Sequence, residues 1–390
     1  MGSFGMLSSQ EKLDEIDPFQ EKIVHFDLKG APPTLKYYEE LFPLLKQVGV
    51  DGILVEYEDM FPYWDELSVL KRAISYSDAT VNAILQCFDR SDDDDDDGDG
   101  DDGDDDTAMI LASNNSLEVI PLVQTFGHME FVLKHSKYAI YRENLLRHDT
   151  ICPSSEGSWH LIAAMLKQMR LMHPNARRIH IGADEAYAIG EDVRCRNRLL
   201  GNLNFSLDRL KLDHISRIAR YARGELGFAE VLVWNDMFGD IDVDLLKEYE
   251  MGELSVPVIW GYARNVFSKM MFASAFKGAN GQSELFCYIN RYLANQRSFV
   301  ELYKKKKKYL DGKISSIILT GWQRYSHYSP LCEILPVSIP SLIVDLVYLK
   351  NIKLSEDEII LKAKLRYTSL SKYCYEELGE GYRSCDRSKE

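Results

Sequence analysis

Apolar residues along the chain gather in eight short runs, and the longer segments between most of these runs alternate apolar and polar positions with a helical period. Short, mainly apolar runs predict strands that are buried on both faces, which is typical of parallel sheets. We place the strands at residues 23–29, 52–58, 118–124, 178–185, 230–236, 256–262, 271–278 and 314–323. The seventh run carries the weakest signal of the eight.

The connections between the runs predict helices. Thr34 precedes a segment whose apolar positions, from Leu35 to Val48, follow the helical period, and Gly49 then acts as a stop signal. Two strands separated by such a helix form a parallel βαβ unit. Repetition of this unit predicts an α/β fold, the (β/α)8 TIM barrel. A doubly wound open sheet is the alternative, and the absence of a glycine-rich phosphate loop after the first strand weakens its dinucleotide-binding form.

The barrel is predicted to occupy residues 21–350, between an N-terminal extension at 1–20 and C-terminal helices at 351–390. Ser355 and Glu358 have the spacing of a capping box at the start of the last helix. Residues 91–107 are almost entirely Asp and Gly, and such a run cannot bury apolar surface. We therefore predict a disordered acidic insertion in a surface loop.

The net charge of −15 comes mostly from that insertion, because twelve Asp lie between positions 92 and 106. The nearly neutral remainder argues against nucleic-acid binding. No stretch has the length of a membrane span, and residues 1–20 do not have the pattern of a signal peptide. The seven cysteines are scattered and contain no C-x-x-C pair, which indicates reduced thiols in the cytoplasm or nucleus.

The fourth run ends in two adjacent carboxylates, Asp184 and Glu185. Because side chains alternate along a strand, we expect His180, Gly182 and Asp184 to share one face. Glu185 follows where the strand stops, so it can turn toward the same space. An Asp-Glu pair alone is common in solvated loops, but a pair that ends a buried strand can hold a proton donor beside a second charge.

Polar and aromatic residues also collect at the carboxyl ends of other predicted strands, where TIM barrels carry their active sites. Besides His180, the candidates are Asp27, Gln124, His128, Trp234, Asp236, Trp260, Tyr262, Trp322 and Tyr325. Indole walls and carboxylates suit a sugar better than a phosphate. We expect His180 to act as a hydrogen-bonded support, and His25 to be a core residue. Neither H-E-x-x-H nor G-x-S-x-G occurs, so no metal, other cofactor or serine nucleophile is expected.

The pattern His-x-Gly-x-Asp-Glu at the end of an apolar strand resembles the signature of family 20 glycoside hydrolases, the β-N-acetylhexosaminidases. Residues 121–128 resemble that family's Pro…Gly-His strand end, and Trp234, Trp260 and Trp322 stand where the family places tryptophans around the 2-acetamido pocket. The segments HFDLKGAPP, EYEDMFPY, PLVQTFGHMEFVLKH and LTGWQRYSHYS resemble an intracellular animal branch of the family. The likeness covers residues 21–349, nearly the whole predicted barrel.

The resemblance implies a retaining hydrolase that removes terminal β-linked GalNAc or GlcNAc, with the substrate's own acetamide as nucleophile. It assigns the general acid to Glu185 and the orientation of the acetamide to Asp184. The expected partner is a glycoside or glycoconjugate that ends in N-acetylhexosamine, without nucleic acid or membrane, and a homodimer stays open. The animal branch implies a leaning toward GalNAc and a location in the cytoplasm and nucleus.

Three positions depart from the better-known family members, and they put the sugar preference in question. Gly30 stands where those members have Arg, Gln124 where they have Asp, and Arg324 where they have Glu; the domain that usually precedes their barrel is not recognisable. Two other functions stay open. One is a two-carboxylate glycosidase with Glu56 or Asp236 as nucleophile, and the other is a non-catalytic carbohydrate-binding barrel.

Overall fold

Eight parallel strands close into a barrel in chain order, which confirms the predicted fold class and excludes the open sheet. The computed structural model describes residues 17–86, 117–260, 267–278, 287–310, 312–323 and 335–377. The strands are β1 (Glu21–Asp27), β2 (Gly52–Glu56), β3 (Glu118–Leu122), β4 (Arg178–His180), β5 (Glu230–Trp234), β6 (Val256–Ile259), β7 (Met270–Lys277) and β8 (Ile314–Gly321). Ile23 of β1 pairs with Gly52 of β2 on one side and with Ile318 of β8 on the other, so the ring has no edge.

The helices cover the outside of the ring, and several of them begin at side-chain caps. Thr34, Ser155 and Ser206 each accept a backbone N–H from the first turn of the helix that follows. The helices are α1 (Leu35–Gln47), α2 (Asp78–Gln86), α3 (Glu130–Leu133), α4 (Glu156–Met172), α5 (Val193–Leu200), α6 (Leu207–Gly224), α7 (Val243–Glu248), α8 (Met251–Leu254), α9 (Ile289–Leu310), α10 (Leu335–Lys350) and α11 (Glu356–Glu377).

Alternation along the strands divides the apolar residues into two layers. Val24 and Phe26 of β1 pack outward against the helices, whereas Ile23 belongs to a separate cluster with Leu54, Leu232 and other strand residues inside the ring. Each such side chain, fully buried, contributes about 1.5–3 kcal/mol. The filled interior makes the barrel a rigid support for whatever its carboxyl ends carry.

The amino-terminal end of the barrel is held by a buried arginine. Arg178 at the start of β4 donates to Glu118 of β3 at 2.8 Å and to Glu21 of β1 at 2.9 Å. Burial disfavours the charged guanidinium, but these two carboxylates raise the pKa of Arg178 above its ordinary value. Because it lies at the end opposite the strand carboxyl ends, this ion cluster serves stability.

Most strands end earlier than predicted, and the difference matters most for β4. The strand stops at His180, and Gly182 (φ 62°) and Ala183 (φ 70°) follow in the left-handed region. The prediction that alternation continues from His180 to Asp184 was therefore wrong. The acids are presented by a strained turn and not by the pleat of a strand.

The capping box at Ser355 and Glu358 is confirmed, since each residue's side chain accepts the backbone N–H of the other. The division at residues 20 and 350 stays a prediction, and the Asp-rich insertion predicted at 91–107 lies outside the described residues. Within the part of the chain that the structure describes, no helix has the length and apolar character of a membrane span.

Candidate active site

Strand β5 holds the turn that carries the acid pair. The backbone N–H of Ile181 donates to Leu232 at 2.9 Å, and that of Trp234 donates to Gly182 at 3.1 Å. Asp236, just beyond β5, accepts the backbone N–H of Glu185 through Oδ2 at 2.8 Å. These contacts fix a turn in which Ala183 and Glu185 both have positive φ, a conformation that costs about 1–3 kcal/mol per residue. Such strain is typical of functional sites.

Two glycines allow the loops after β3 and β4 to approach closely. A Cβ on Gly127 would overlap the backbone carbonyl oxygen of Asp184. A Cβ on Gly182 would overlap the side-chain oxygen of Gln124, and the positive φ at this position also favours glycine. The glycines of both sequence motifs thus serve one purpose, which is to bring His128 and the acid pair together.

His128 bridges the two acids. Its Nε2 lies 3.3 Å from Oδ2 of Asp184 and 3.3 Å from Oε2 of Glu185. Asp184 is buried, whereas 39% of the Glu185 side chain is exposed. Burial alone would lower the pKa of His128, but the carboxylates raise it well above its ordinary value. In turn, the hydrogen bond from His128 lowers the pKa of Glu185.

Asp236 has the opposite electrostatic character. Burial, followed by the negative charge of Asp184, raises the pKa of its carboxyl to about 7. One oxygen accepts the N–H of Glu185, and the other is buried without a hydrogen-bond partner among the described residues. At neutral pH His128 therefore carries a proton, and the carboxyl of Asp236 is separately protonated in part.

A cavity of about 730 Å³ opens at the carboxyl ends of the strands. Of the predicted residues it is lined by Asp184, Glu185, His128, Trp234, Trp260 and Trp322. Trp234 is buried, its ring centroid is 5.8 Å from that of Trp322, and Trp260 is 48% exposed. The three indoles and both acids thus meet in one cavity.

Several buried polar atoms around this opening lack a hydrogen-bond partner in the described part of the chain. They are Oε1 of Gln124, Nε2 of His180, Oδ1 of Asp184, Nε1 of Trp234 and Oδ1 of Asp236. Buried polar groups without a partner are uncommon in native proteins, because each costs about 1–3 kcal/mol. Their concentration at one site indicates a place for a polar ligand or for ordered water.

Asp27 does not line the cavity. Lys29 Nζ contacts its Oδ2 at 3.1 Å, and the backbone N–H of Gln323 donates to the same oxygen at 2.9 Å. Lys29 also contacts Glu58 at 3.0 Å, and Lys29 itself lines the cavity. Asp27 thus orients the cationic group that faces the cavity.

Glu56, which also lines the cavity, pairs with the buried His25. Nε2 of His25 and Oε2 of Glu56 are 3.0 Å apart, and Gln124 donates to Oε1 of Glu56 at 3.2 Å. Burial would raise the pKa of Glu56, but Lys29 and His25 lower it below its ordinary value. Glu56 is therefore an ionised residue with three partners, and both His25 and Gln124 support it.

His180 is a neutral support below the acids. It is fully buried, its Nδ1 accepts the backbone N–H of Gly182 at 2.9 Å, and burial lowers its pKa to about 3. Its ring packs 4.3 Å from that of Trp234. Tyr262 and Tyr325, like Arg324, lie outside the described residues.

The cavity is also lined by Lys29 and by Glu56, the latter a nucleophile candidate of the two-carboxylate alternative. Sequence reasoning did not select the other lining residues, which are Glu130, Arg147, Asp149, Tyr187, Ala273, Ser274, Ala275, Asn295, Phe299 and Thr320. Tyr187 lies two positions after Glu185, and this closeness in sequence could have identified it as a cavity residue. Asn295 and Phe299 lie on helix α9, and no pattern at a strand end points to them.

Comparison with known proteins gives two similar curated relatives. Human hexosaminidase D is 38% identical over 364 residues, which are 89% of this chain and 68% of the human protein. Bovine hexosaminidase D is 39% identical over 339 residues, covering 83% of this chain and 90% of the bovine protein. A scan against models of protein families found no match.

Solved structures share the fold at low sequence identity. The β-N-acetylhexosaminidase of Bacteroides fragilis superposes with a TM-score of 0.61 at 11% identity, covering 92% of this chain and 72% of that one. The GH20 exo-β-N-acetylglucosaminidase of Vibrio harveyi, solved with N-acetylglucosamine, gives 0.62 at 13% identity, covering 91% of this chain and 58% of that one.

Proposed function

Since this chain belongs to the hexosaminidase D family, we propose that it is a glycoside hydrolase that removes terminal β-linked N-acetylhexosamine. One observation carries the proposal beyond family membership. A buried carboxylate, Asp184, and an accessible one, Glu185, lie side by side in the same cavity as Trp234 and Trp322. This arrangement offers flat apolar walls for a sugar and its acetamide, with acidic groups at the bond to be broken.

The mechanism that we propose uses the substrate's acetamide as nucleophile. Its carbonyl oxygen attacks the anomeric carbon while the bond to the leaving oxygen breaks, and Glu185 protonates that oxygen. Asp184, whose Oδ1 is without a partner among the described residues, accepts the acetamide N–H and stabilises the positive charge that develops there. In the second step Glu185 takes a proton from water, which attacks the anomeric carbon. The bond from that carbon to the acetamide oxygen breaks, so the acetamide is restored and the configuration is retained.

The proton for the first step is held between His128 and Glu185. The hydrogen bond from His128 lowers the pKa of the Glu185 carboxyl, so this carboxyl does not keep the proton by itself at neutral pH. Transfer of the Nε2 proton across the 3.3 Å contact converts the ion pair into neutral imidazole and carboxylic acid. A bound sugar excludes water and so disfavours the ion pair, which moves the proton toward Glu185.

The two-carboxylate alternative is supported less well. Glu56 is engaged by His25, Gln124 and Lys29. Asp236, with a pKa raised to about 7, is a weak nucleophile near neutral pH and is tied to the backbone of Glu185. A binding-only barrel has no use for the proton that His128 and Glu185 share.

The finer assignments also belong to the proposal. We infer a preference for GalNAc over GlcNAc and a location in the cytoplasm and nucleus, which the free thiols of Cys152, Cys195 and Cys287 support. Whether the chain forms a homodimer is left open. Imaging of a tagged chain together with subcellular fractionation checks the location, and recovery of the chain in a secretory compartment contradicts it.

The experiment that tests the function is a comparison of three nitrophenyl β-glycosides: GalNAc, GlcNAc and plain galactose. Both acetamido sugars should be hydrolysed, with the larger kcat/KM for GalNAc, and the galactoside should be inert because it lacks the nucleophile. A thiazoline that mimics the cyclised intermediate should inhibit competitively. Comparable turnover of the galactoside would overturn substrate assistance and favour the two-carboxylate mechanism.

A further inference from the structure

A second cluster of reactive side chains lies behind the wall of the cavity, outside the set that the proposed reaction uses. It consists of Glu143, Cys152 and Cys195, all buried. Glu143 and Cys152 belong to the loop between α3 and α4, where Arg142 and Ile151 form an antiparallel bridge. Cys195 is in helix α5, which follows the acid pair along the chain.

The distances within this cluster match those between the ligands of one tetrahedral metal ion. Sγ of Cys152 is 3.6 Å from Sγ of Cys195, and the latter is 3.1 Å from Oε2 of Glu143. All three atoms lie within 4.8 Å of one another. Zinc–sulfur bonds of about 2.3 Å at the tetrahedral angle separate two sulfurs by about 3.8 Å, and a carboxylate oxygen then lies about 3.5 Å from each. A disulfide would instead need a sulfur separation of about 2.05 Å.

We propose that Glu143, Cys152 and Cys195 form a structural site for a thiophilic divalent cation, for which zinc is the best match. Two thiolates and one carboxylate are ligands that zinc accepts, whereas magnesium and calcium prefer oxygen alone. A water molecule completes the tetrahedron.

The surroundings orient the ligands as a metal site requires. Oε1 of Glu143 accepts the backbone N–H groups of Glu191 at 2.9 Å and of Asp192 at 3.1 Å, which turns Oε2 toward the thiols. Such outer contacts fix the geometry of a ligating carboxylate. The Arg194 side chain donates to Asp192 at 2.7 Å, which holds this carboxylate at the start of helix α5 beside the cluster.

Apolar side chains cover one side of the cluster. Leu203 and Leu210 are buried against the two cysteines. Sequence reasoning expected no metal, because it searched for closely spaced histidines and cysteines. Here the ligands are separated by 9 and 43 positions along the chain, and only the fold brings them together.

The consequence of such an ion is mechanical. It would tie helix α5, just after Glu185, to the loop from which Arg147 and Asp149 reach the cavity. The ion therefore holds one wall of the cavity in place, and it takes no part in bond cleavage. The proposal does not depend on the hydrolase function, since its test reads bound metal and not turnover.

The test measures zinc in the untagged full chain, kept reduced, incubated with zinc and freed of loose metal by gel filtration. Mass spectrometry of the metal should find about one zinc per chain. Cys195→Ser, Cys152→Ser and Glu143→Gln should each weaken binding by more than about tenfold. Cobalt in place of zinc should give the near-ultraviolet thiolate-to-cobalt absorption in the parent and lose it in the two serine variants.

Cys287→Ser is the matched control, because this thiol is remote from the cluster and donates to Phe276 instead. It should bind zinc like the parent. Circular dichroism of each variant establishes that it is folded, and zinc should raise the Tm of the parent but not that of Cys195→Ser. The proposal is overturned if the folded parent retains no more zinc than the serine variants, if the cobalt form lacks the thiolate band, or if peptide mapping finds a Cys152–Cys195 disulfide under reducing conditions.

Discussion

The backbone N–H of Glu185 donates a hydrogen bond to Oδ2 of Asp236 over 2.8 Å. This contact joins the turn after β4 to the end of β5, and it places a third carboxyl group directly behind the acid pair. Burial and the charge of Asp184 raise the pKa of Asp236 to about 7. The position of Glu185, the proposed general acid, is thus fixed by a group that is itself partly protonated at neutral pH.

Replacing Asp236 by Asn should change how stability depends on pH. The carboxyl binds its proton more tightly in the folded chain, where its pKa is about 7, than in the unfolded chain, where Asp titrates at about 3.9. The parent therefore loses stability as the pH rises through this window, and the variant does not. We expect Asp236→Asn to gain about 2 kcal/mol relative to the parent between pH 4.5 and pH 8, after a discount for partial exposure. Urea unfolding at the two pH values measures this.

Asp244→Asn is the control for that experiment, because Asp244 is exposed and lies on helix α7, away from the cavity. The difference between its unfolding free energy and that of the parent should change by no more than a few tenths of a kcal/mol between the same pH values. If Asp236→Asn shows the same flat difference, the proton is not held on Asp236.

Glu185→Gln should remove the general acid while it keeps the shape of the side chain. We expect kcat/KM to fall by about 10²–10⁴ for a substrate with a poor, sugar-like leaving group. The loss should be much smaller for a dinitrophenyl leaving group, which departs without protonation. Glu130→Gln is the control, since this carboxylate lines the same cavity. Equal losses of kcat/KM for both leaving groups would show that Glu185 is not the proton donor.

Asp184→Asn should lower activity to a similar extent on substrates with poor and with good leaving groups. The charge that Asp184 stabilises develops on the acetamide in every case, so we expect a loss of about 10²–10³ in kcat whatever the leaving group. Steady-state kinetics with both substrates for both variants separates the two roles. A variant that turns over like the parent would contradict acetamide participation.

The sequence was sufficient to predict the barrel and the region of its site. Eight apolar runs with helical connections point to a closed parallel ring, and the (β/α)8 rule then places Asp184, Trp234 and Trp322 at one end. Both inferences rest on local periodicity, which does not depend on where side chains finally meet.

Contacts between distant segments could not be predicted in this way. Asp27 looked like a sugar-binding residue, but it is held by Lys29 and by the backbone of Gln323, almost 300 positions away in the chain. The left-handed Ala183 is equally hidden, because β-strand alternation assumes extended backbone throughout. The bridge from His128 to both acids likewise requires the approach of two loops.

His128→Gln should move the pH dependence of activity. In the parent, the carboxylates raise the pKa of His128, so the pair keeps a proton available at neutral pH and above. Without the imidazole, Glu185 must hold the proton alone. We expect the alkaline limb of kcat/KM to move to lower pH by more than about one unit. His148→Gln is the control, and an unshifted profile in His128→Gln would show that the proton does not come from this pair.

Gly182→Ala should damage both stability and turnover, for reasons that a second glycine can separate. Gly182 and Gly227 both have positive φ, 62° and 71°, so alanine is strained by about 1–2 kcal/mol at either position. At Gly227 the added methyl group meets nothing within 4 Å, whereas at Gly182 it overlaps the side chain of Gln124.

We therefore expect Gly227→Ala to lose only the stability that backbone strain costs, and to keep the kcat and KM of the parent. Gly182→Ala should lose more stability and also lower kcat, because the turn that carries Asp184 and Glu185 has to shift. Urea unfolding and nitrophenyl glycoside kinetics on both variants measure the difference. Since the backbone strain is matched, equal behaviour of the two variants would show that the close approach of Gly182 to Gln124 does not position the acids.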